Sequence, residues 1–490
     1  MDHPYHPHSG ARSNARNGGS EGVRRLAERA LSRAAGAPLI AGNAIELLVD
    51  AEANYAAWQQ AIAAARSRIL LENYIIRDDA TGRAFRDALV EQARAGVGVC
   101  VMYDWLGCLG QSRRGFWQPL RDAGGSVRVY NPLQLHNPFG WVSRDHRKLL
   151  VVDRTVAFLG GLCISSKWLG DAATGIAPWR DTAVSLRGPA LLECERAFAD
   201  VWEQLGPALP ESADEVPAER GAVDLRVIAT QPDTAGIFRL DQLIAGLASR
   251  SLWLADAYFV GVSPYVQSLR AAARDGVDVR LLVPGASDLP MVRNISLSGY
   301  RPLLEAGIRV FEWNGSMMHA KTAVADGRWA RVGSSNLNIA SWIGNCEIDV
   351  AVEDDKFAAS MEAQYLRDLE NATEIVLTKP RRSRSAAKTS RPGGKGSASR
   401  AAAGALRLAH SMGAAFGTHR VLERSDGLLL PWFGGALLAI AIVGVFWPRI
   451  LAWPLAAFCL WIAISLAARY VRIRRTTRGT PKSRPERRTD

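Results

Sequence analysis

The chain has 490 residues, room for two or three domains with adequate cores. Its net charge of +12 describes no part of it well: residues 1–376 hold 39 Lys and Arg against 44 Asp and Glu, and residues 377–490 hold 21 against 4. A body at −5 with a tail at +17 argues against nucleic acid as substrate, because phosphate contacts need basic charge on the body that meets them.

Residues 1–37 read as a polar leader with a short helix. Met1–Ser20 carries His3, His6 and His8 among Pro and Ser, a composition that predicts disorder rather than a metal-binding arm. Over 22–35, Val23, Leu26, Ala27, Ala30 and Leu31 fall at helical spacing with arginines on the other sides, which suits a helix lying on anionic lipid or one packed on the body.

Residues 38–205 and 222–378 then run through the same elements twice. A helix leads to an apolar strand, Ile69–Tyr74 in the first half and Leu252–Tyr258 in the second. Each is followed by a helix, a Gly-Val and another strand (from Gly96 and Gly276), then a third strand ending near Tyr130 and Phe311. Strands alternating with helices predict an α/β fold of two pseudo-symmetric αβα halves with mixed, mainly parallel sheets. The acidic, Pro-containing stretch 206–221 is the connector. Cys100, Cys108, Cys163, Cys194, Cys346 and Cys459 form no C-x-x-C pair and no zinc spacing, and read as free thiols of a reducing compartment.

Beyond residue 378 the composition changes. Residues 379–425 form a basic linker, flexible at least over Pro380–Arg400. Within 426–470, Leu428–Trp447 and Ile450–Ala468 are 20 and 19 residues without a charge, separated by Pro448-Arg449. Each is about 30 Å long as a helix, the thickness of a bilayer core, so a transmembrane hairpin is expected. Basic residues flank both outer ends, including the tail 471–490. The positive-inside rule therefore puts both ends and the body in the cytoplasm.

The chemistry sits in a repeat. His146-Arg-Lys148 with Asp153 recurs 173 residues later as His319-Ala-Lys321 with Asp326, and Gly160-Gly161-Leu162-Cys163 recurs as Gly333-Ser334-Ser335-Asn336. Residues two apart in a strand share a face, so each His lies beside its Lys. Two imidazoles and two ammonium groups converging on one pocket suit a phosphodiester. The lysines neutralise the non-bridging oxygens, one His attacks phosphorus, and the other protonates the leaving alkoxide. The scheme calls for no metal and no cofactor. Asp153 and Asp326 complete the catalytic motif, and their place in turns suits them to fixing those turns beside the site.

These motifs resemble the signature of the phospholipase D superfamily, over about residues 38–378. Arg144–Lys148, Trp179-Arg180-Asp181-Thr182 and Asn345-Cys346-Glu347 bring the chain nearest to the bacterial cardiolipin synthases of the B type. The resemblance implies a phosphatidyltransferase working through a phosphatidyl-histidine. Phosphatidylglycerol as donor and acceptor would give cardiolipin and glycerol; the alternative is a hydrolytic phospholipase D releasing phosphatidic acid. It also implies His146 as nucleophile and His319 as general acid and base. Lys148, Lys321 and Asn336 would hold phosphoryl oxygens, Ser334 would bind phosphate or orient a neighbour, and Asp181 and Glu347 would orient the histidines. The chain departs from the pattern at Cys163, where an amide is expected. A thiol is a weak donor, which leaves the first half with a poorer phosphate site or one completed by Ser165 or Ser166. Phospholipid and membrane are the expected partners; nucleic acid is not, and head-group preference and oligomeric state are not legible.

Overall fold

The computed structural model describes residues 26–111, 115–132, 143–210 and 216–377, with a few single helical positions between 453 and 464. The expected hairpin at 426–470 and its basic flanks lie outside the described residues, apart from those positions. Among the described residues no helix is long and apolar enough to cross a membrane.

Helix α1 (26–35) packs on the body: Leu31 and Ala35 enter a core cluster, and Arg226 reaches Ser32. The first half then runs β1 (Ile40–Val49), α2 (Asp50–Ala63), β2 (Arg68–Asn73), α3 (Ala80–Arg94), β3 (Gly98–Asp104), α4 (Gln118–Asp122), β4 (Ser126–Tyr130), β5 (Lys148–Val152), β6 (Val156–Gly160), α5 (Ser166–Leu169), β7 (Thr182–Arg187) and α6 (Leu191–Gln204). The second runs β8 (Val223–Thr230), α7 (Gly236–Leu247), β9 (Ser251–Ala255), α8 (Ser263–Arg274), β10 (Asp278–Pro284), α9 (Pro290–Leu304), β11 (Arg309–Trp313), β12 (Thr322–Ala325), β13 (Trp329–Gly333), a π-helical turn (Ala340–Gly344), β14 (Glu347–Glu353), α10 (Asp355–Glu370) and β15 (Ala372–Ile375).

All strands join one sheet, ordered β15-β11-β10-β9-β12-β13-β14-β8-β1-β7-β6-β5-β2-β3-β4. Apart from the edge strand β15, the order reads the same from either end, and the antiparallel β1–β8 pair is the seam between the halves. The sheet is mixed, as expected, but it is not mainly parallel. Only β2–β3–β4 and β9–β10–β11 pair in parallel, each neighbour joined to the next through a helix; α2 and α7 also cross over, but they join strands that are not neighbours in the sheet. The strands after each motif are joined by tight turns, Asp153–Thr155 and Asp326–Arg328, which permit antiparallel pairing alone.

The apolar runs of the motif strands follow from burial on both faces. Along β5, Leu149 and Val151 join the core shared by the two halves, which α6 and α10 also enter; Leu150 and Val152 face α2 and α3 on the outside. This double burial fixes the register of the strands that begin at Lys148 and just after Lys321.

Asp153 and Asp326 stand at the far ends of β5 and β12, with φ of 51° and 53°. Asp153 accepts the backbone N–H groups of Arg66, Ser67 and Arg68, and Asp326 those of Ser249, Arg250 and Ser251. A whole strand separates each from its Lys, and each ties the turn to the entry of a neighbouring strand. Burial opposes ionisation of both carboxyls, but these donors outweigh it and hold them below the usual range. Their stabilisation is complete above the ordinary pKa near 3.8 and is lost as the pH falls through the lower folded value. Asp153→Ala or Asp326→Ala should cost about 1–3 kcal/mol by chemical denaturation while kcat stays within a few-fold. A catalytic collapse in a fully folded variant would restore them to the chemistry.

Candidate active site

The two halves are stitched together at their motifs. Asp145 bridges to Cys346 and Arg180 to Met318 as short parallel pairs across the halves. His146 N–H donates to Cys346 O (2.9 Å), and His319 N–H donates to Arg180 O (2.7 Å). Each histidine thus enters beside the residue that precedes the other half's carboxylate. The result is a crossed arrangement: His146 Nδ1 lies 2.9 Å from Glu347 Oε2, and His319 Nδ1 lies 2.9 Å from Asp181 Oδ2.

Both carboxylates are fixed as acceptors. Glu347 Oε2 also accepts Ser334 Oγ–H at 2.6 Å, the serine oxygen itself accepting Ile348 N–H, and Glu347 Oε1 accepts Asn345 Nδ2–H. Asp181 Oδ2 also accepts Trp168 Nε1–H at 2.8 Å, and Oδ1 accepts Thr182 N–H. A carboxylate so placed keeps the proton on Nδ1 and leaves the Nε2 lone pair for the site. Gly161 takes the place that Ser334 has in the second half, and it is needed there: a Cβ would stand 2.1 Å from Asp181 Oδ1. Ser334 therefore orients a carboxylate and is not uncommitted toward phosphate.

Lys148 and Lys321 are wholly buried, each ammonium returning to the carbonyl of its own motif His. The field of each lysine reaches both imidazoles, which places the four groups in one site. Aromatic rings wall it. Tyr74 packs edge-on against His146 at 4.8 Å, with Lys148 Nζ 5.0 Å from its centroid; Tyr258 stands 5.8 Å from both His319 and Lys321 Nζ. Trp168 and Trp179 close around His319 at 5.4 and 5.9 Å. Sequence reasoning missed these rings as site residues. The available signal was a Tyr just beyond the equivalent strand in each half.

Asn336 is buried, and its Oδ1 has no hydrogen-bond partner among the described residues; a phosphoryl oxygen, itself an acceptor, would be met by the amide's Nδ2–H instead. Cys163 occupies the matching place in the first half, within the fields of both lysines, and burial pushes its thiol up. The serines offered in its stead are engaged elsewhere: Ser165 Oγ donates to Asp79, and Ser166 Oγ is bonded to Thr81. Completion by either serine is therefore ruled out in this arrangement, and the half-sites are unequal.

Charge follows from burial and from the lysines. Burial pulls both imidazoles below the ordinary His value. Lys148 and Lys321 add to this and the carboxylates resist it; His319 comes down to about 4. Burial also lowers Lys321, to about 8, with Asp181 resisting and Lys148 adding. For Asp181 and Glu347 burial acts upward, but the paired His and neighbouring Lys outweigh it and hold both below the usual range. Without a bound anion both histidines are thus neutral at neutral pH. An anion between the lysines offsets their field and raises the imidazole values, so binding should take up a proton. Sulfate has no proton of its own to exchange in this range. Its affinity should rise as the pH falls from 7 to 5, below the range in which Lys321 titrates, with proton uptake read by calorimetry in buffers of different ionisation enthalpy. Affinity flat with pH over that range would contradict this charge assignment.

A family described as "Cardiolipin synthase, PLD-like domain" matches residues 59–170 and 242–369. The cardiolipin synthase of Alkalihalophilus pseudofirmus is 32% identical over 69% of this chain and 68% of its own length. Cardiolipin synthase A of Pseudomonas aeruginosa is 33% identical over 71% of each. The crystal structure of phosphatidylserine synthase from Haemophilus influenzae superposes with a TM-score of 0.55 at 16% identity, covering 71% of this chain and 92% of that one, a likeness of fold.

Proposed function

Because the chain belongs to the cardiolipin synthase family of phospholipase D-like phosphatidyltransferases, we propose that it joins two phosphatidylglycerols into cardiolipin with release of glycerol. One observation carries this reading: two histidines, each hydrogen-bonded at Nδ1 to the other half's carboxylate, share one site with two buried lysines.

In the proposed path, Lys148, Lys321 and Asn336 hold the diester oxygens, and the lysines stabilise the charge that builds on them in the transition state. Bound phosphate favours protonation of His319. His146 Nε2 attacks phosphorus, the bond to the glycerol oxygen breaks, and His319 gives that oxygen its proton. The glycerol hydroxyl of a second phosphatidylglycerol then attacks the phosphatidyl-histidine. It yields its proton to His319, the P–N bond breaks, and His146 is restored.

The same reading takes residues 379–425 as linker, 426–470 as a membrane hairpin and 471–490 as a cytoplasmic tail; two uncharged runs with basic flanks support it. Anchoring would confine the site near its lipids and raise its encounter rate with them. Purified full-length protein given phosphatidylglycerol vesicles should form cardiolipin and glycerol in equal amounts, measured by lipid mass spectrometry and glycerol assay. Phosphatidic acid as sole lipid product would make it a hydrolase.

A further inference from the structure

Strand register places several loops at one edge of the catalytic unit. Asn73 at the end of β2 faces Lys148 at the start of β5, and Leu149 faces Leu159 near the end of β6. The parallel partners β3 and β4 end at the same edge as β2. In the second half Ala255 faces Thr322, and Thr322 faces Val332, so β9, β10 and β13 end where Lys321 and His319 lie. The loops leaving these strands therefore surround the site.

Large apolar side chains stand exposed on these loops, among them Leu106, Leu109, Leu169, Ile176, Leu289 and Ile339, each 37–58% exposed. Each loop is braced on a ring that walls the site. Gly107 presses on Tyr74 so closely that a Cβ would come within 2.2 Å of Tyr74 O. Trp168 and Trp179 bracket the loop of Leu169 and Ile176, with Trp179 N–H on Trp168 O. Asp288, beside Leu289, accepts the Tyr258 hydroxyl, and Asn338, beside Ile339, donates to Tyr258 O. Lys167, exposed at this edge, lies 5.8 Å from the Trp179 ring. The acids here are engaged: Asp171 with Thr174 and the Ala173 N–H, Asp288 with Tyr258.

We propose that this edge seats on a phospholipid bilayer, its apolar loops entering the boundary between head groups and acyl chains, so that a lipid phosphate reaches His146 and His319 without the lipid leaving the interface. The inference rests on the phospholipid reading of the site, and continuity with the site selects the occupant. The histidines are buried, so a diester between them must keep its acyl chains at this edge, against side chains that water solvates poorly.

The test uses the full chain with Cys459→Ser, because the other five cysteines are buried. Leu109→Cys, Leu289→Cys and, at the end of α7 just before β9 begins on the opposite edge, Leu247→Cys each carry an environment-sensitive dye. After reconstitution in phosphatidylglycerol vesicles, the dyes at 109 and 289 should brighten at least about twofold and be quenched by a lipid-borne nitroxide, with 247 unchanged. Equal behaviour at all three overturns the proposal. So does a response that depends on protein concentration rather than lipid, which would make the edge a contact between copies.

A combined Leu109→Ser, Ile176→Ser, Leu289→Ser variant should raise KM about tenfold or more on vesicles while leaving kcat/KM on monomeric short-chain phosphatidylglycerol unchanged. Equal loss on both substrates also overturns it. If even the parent turns over neither lipid, the proposed function fails, and the dyes still decide the docking.

Discussion

His146→Ala is expected to lower turnover by about 10⁴–10⁶ and His319→Ala by about 10²–10⁴, both in folded protein. The difference follows from their proposed work. Loss of a nucleophile removes the covalent route, whereas loss of a general acid leaves the route with a worse leaving group. A phosphatidyl ester of p-nitrophenol separates the two, because its leaving group departs without help. With that donor, His319→Ala should still release nitrophenol in a burst of about one equivalent and then stall, since no base remains to activate the acceptor. Mass spectrometry should find the phosphatidyl group on His146. A burst from His146→Ala instead would exchange the roles. Normal turnover by either variant on phosphatidylglycerol would end the shared-site reading altogether.

The repeat made much of this legible. His-x-Lys at matching places beside Gly-rich elements locates two half-sites, and alternation along the strands predicts that each Lys starts a buried strand, as Lys148 does. Three things lay beyond the sequence for physical reasons. Pairing between halves is set by contacts such as Asp145 with Cys346, about 200 residues apart, and no local pattern records them. Asp181 and Glu347 were recognisable as orienting carboxylates, yet only the fold shows that each serves the other half's histidine. Parallel pairing was over-predicted because helix–strand alternation says nothing of the strands joined by turns at Asp153 and Asp326. Cys163 was visible as a departure, but that Ser165 and Ser166 are committed to Asp79 and Thr81 was not.

The crossed carboxylates make a second, sharper prediction. Asp181→Asn and Glu347→Gln should each lower kcat by about 10²–10³. At Asp181, an amide nitrogen at the Oδ2 position would face two donors, Trp168 Nε1–H and His319 Nδ1–H; at the Oδ1 position it faces only the Thr182 N–H. The variant should therefore keep its oxygen toward His319 and preserve the tautomer. What it loses is the negative charge that stabilises the imidazolium, at the expense of one donor–donor contact. Glu347 leads to the same conclusion. Its Oε2 accepts from His146 and Ser334 and its Oε1 from Asn345, so Gln should turn its nitrogen toward Asn345. The two variants then diverge by the job of the histidine each carboxylate serves. If His319 is the acid, the nitrophenyl donor should restore most of the burst rate to Asp181→Asn and little to Glu347→Gln, whose defect lies in the nucleophile. Rescue of both to the same degree would mean that the halves act interchangeably, and the inequality of Asn336 and Cys163 would then have no part in assigning their roles.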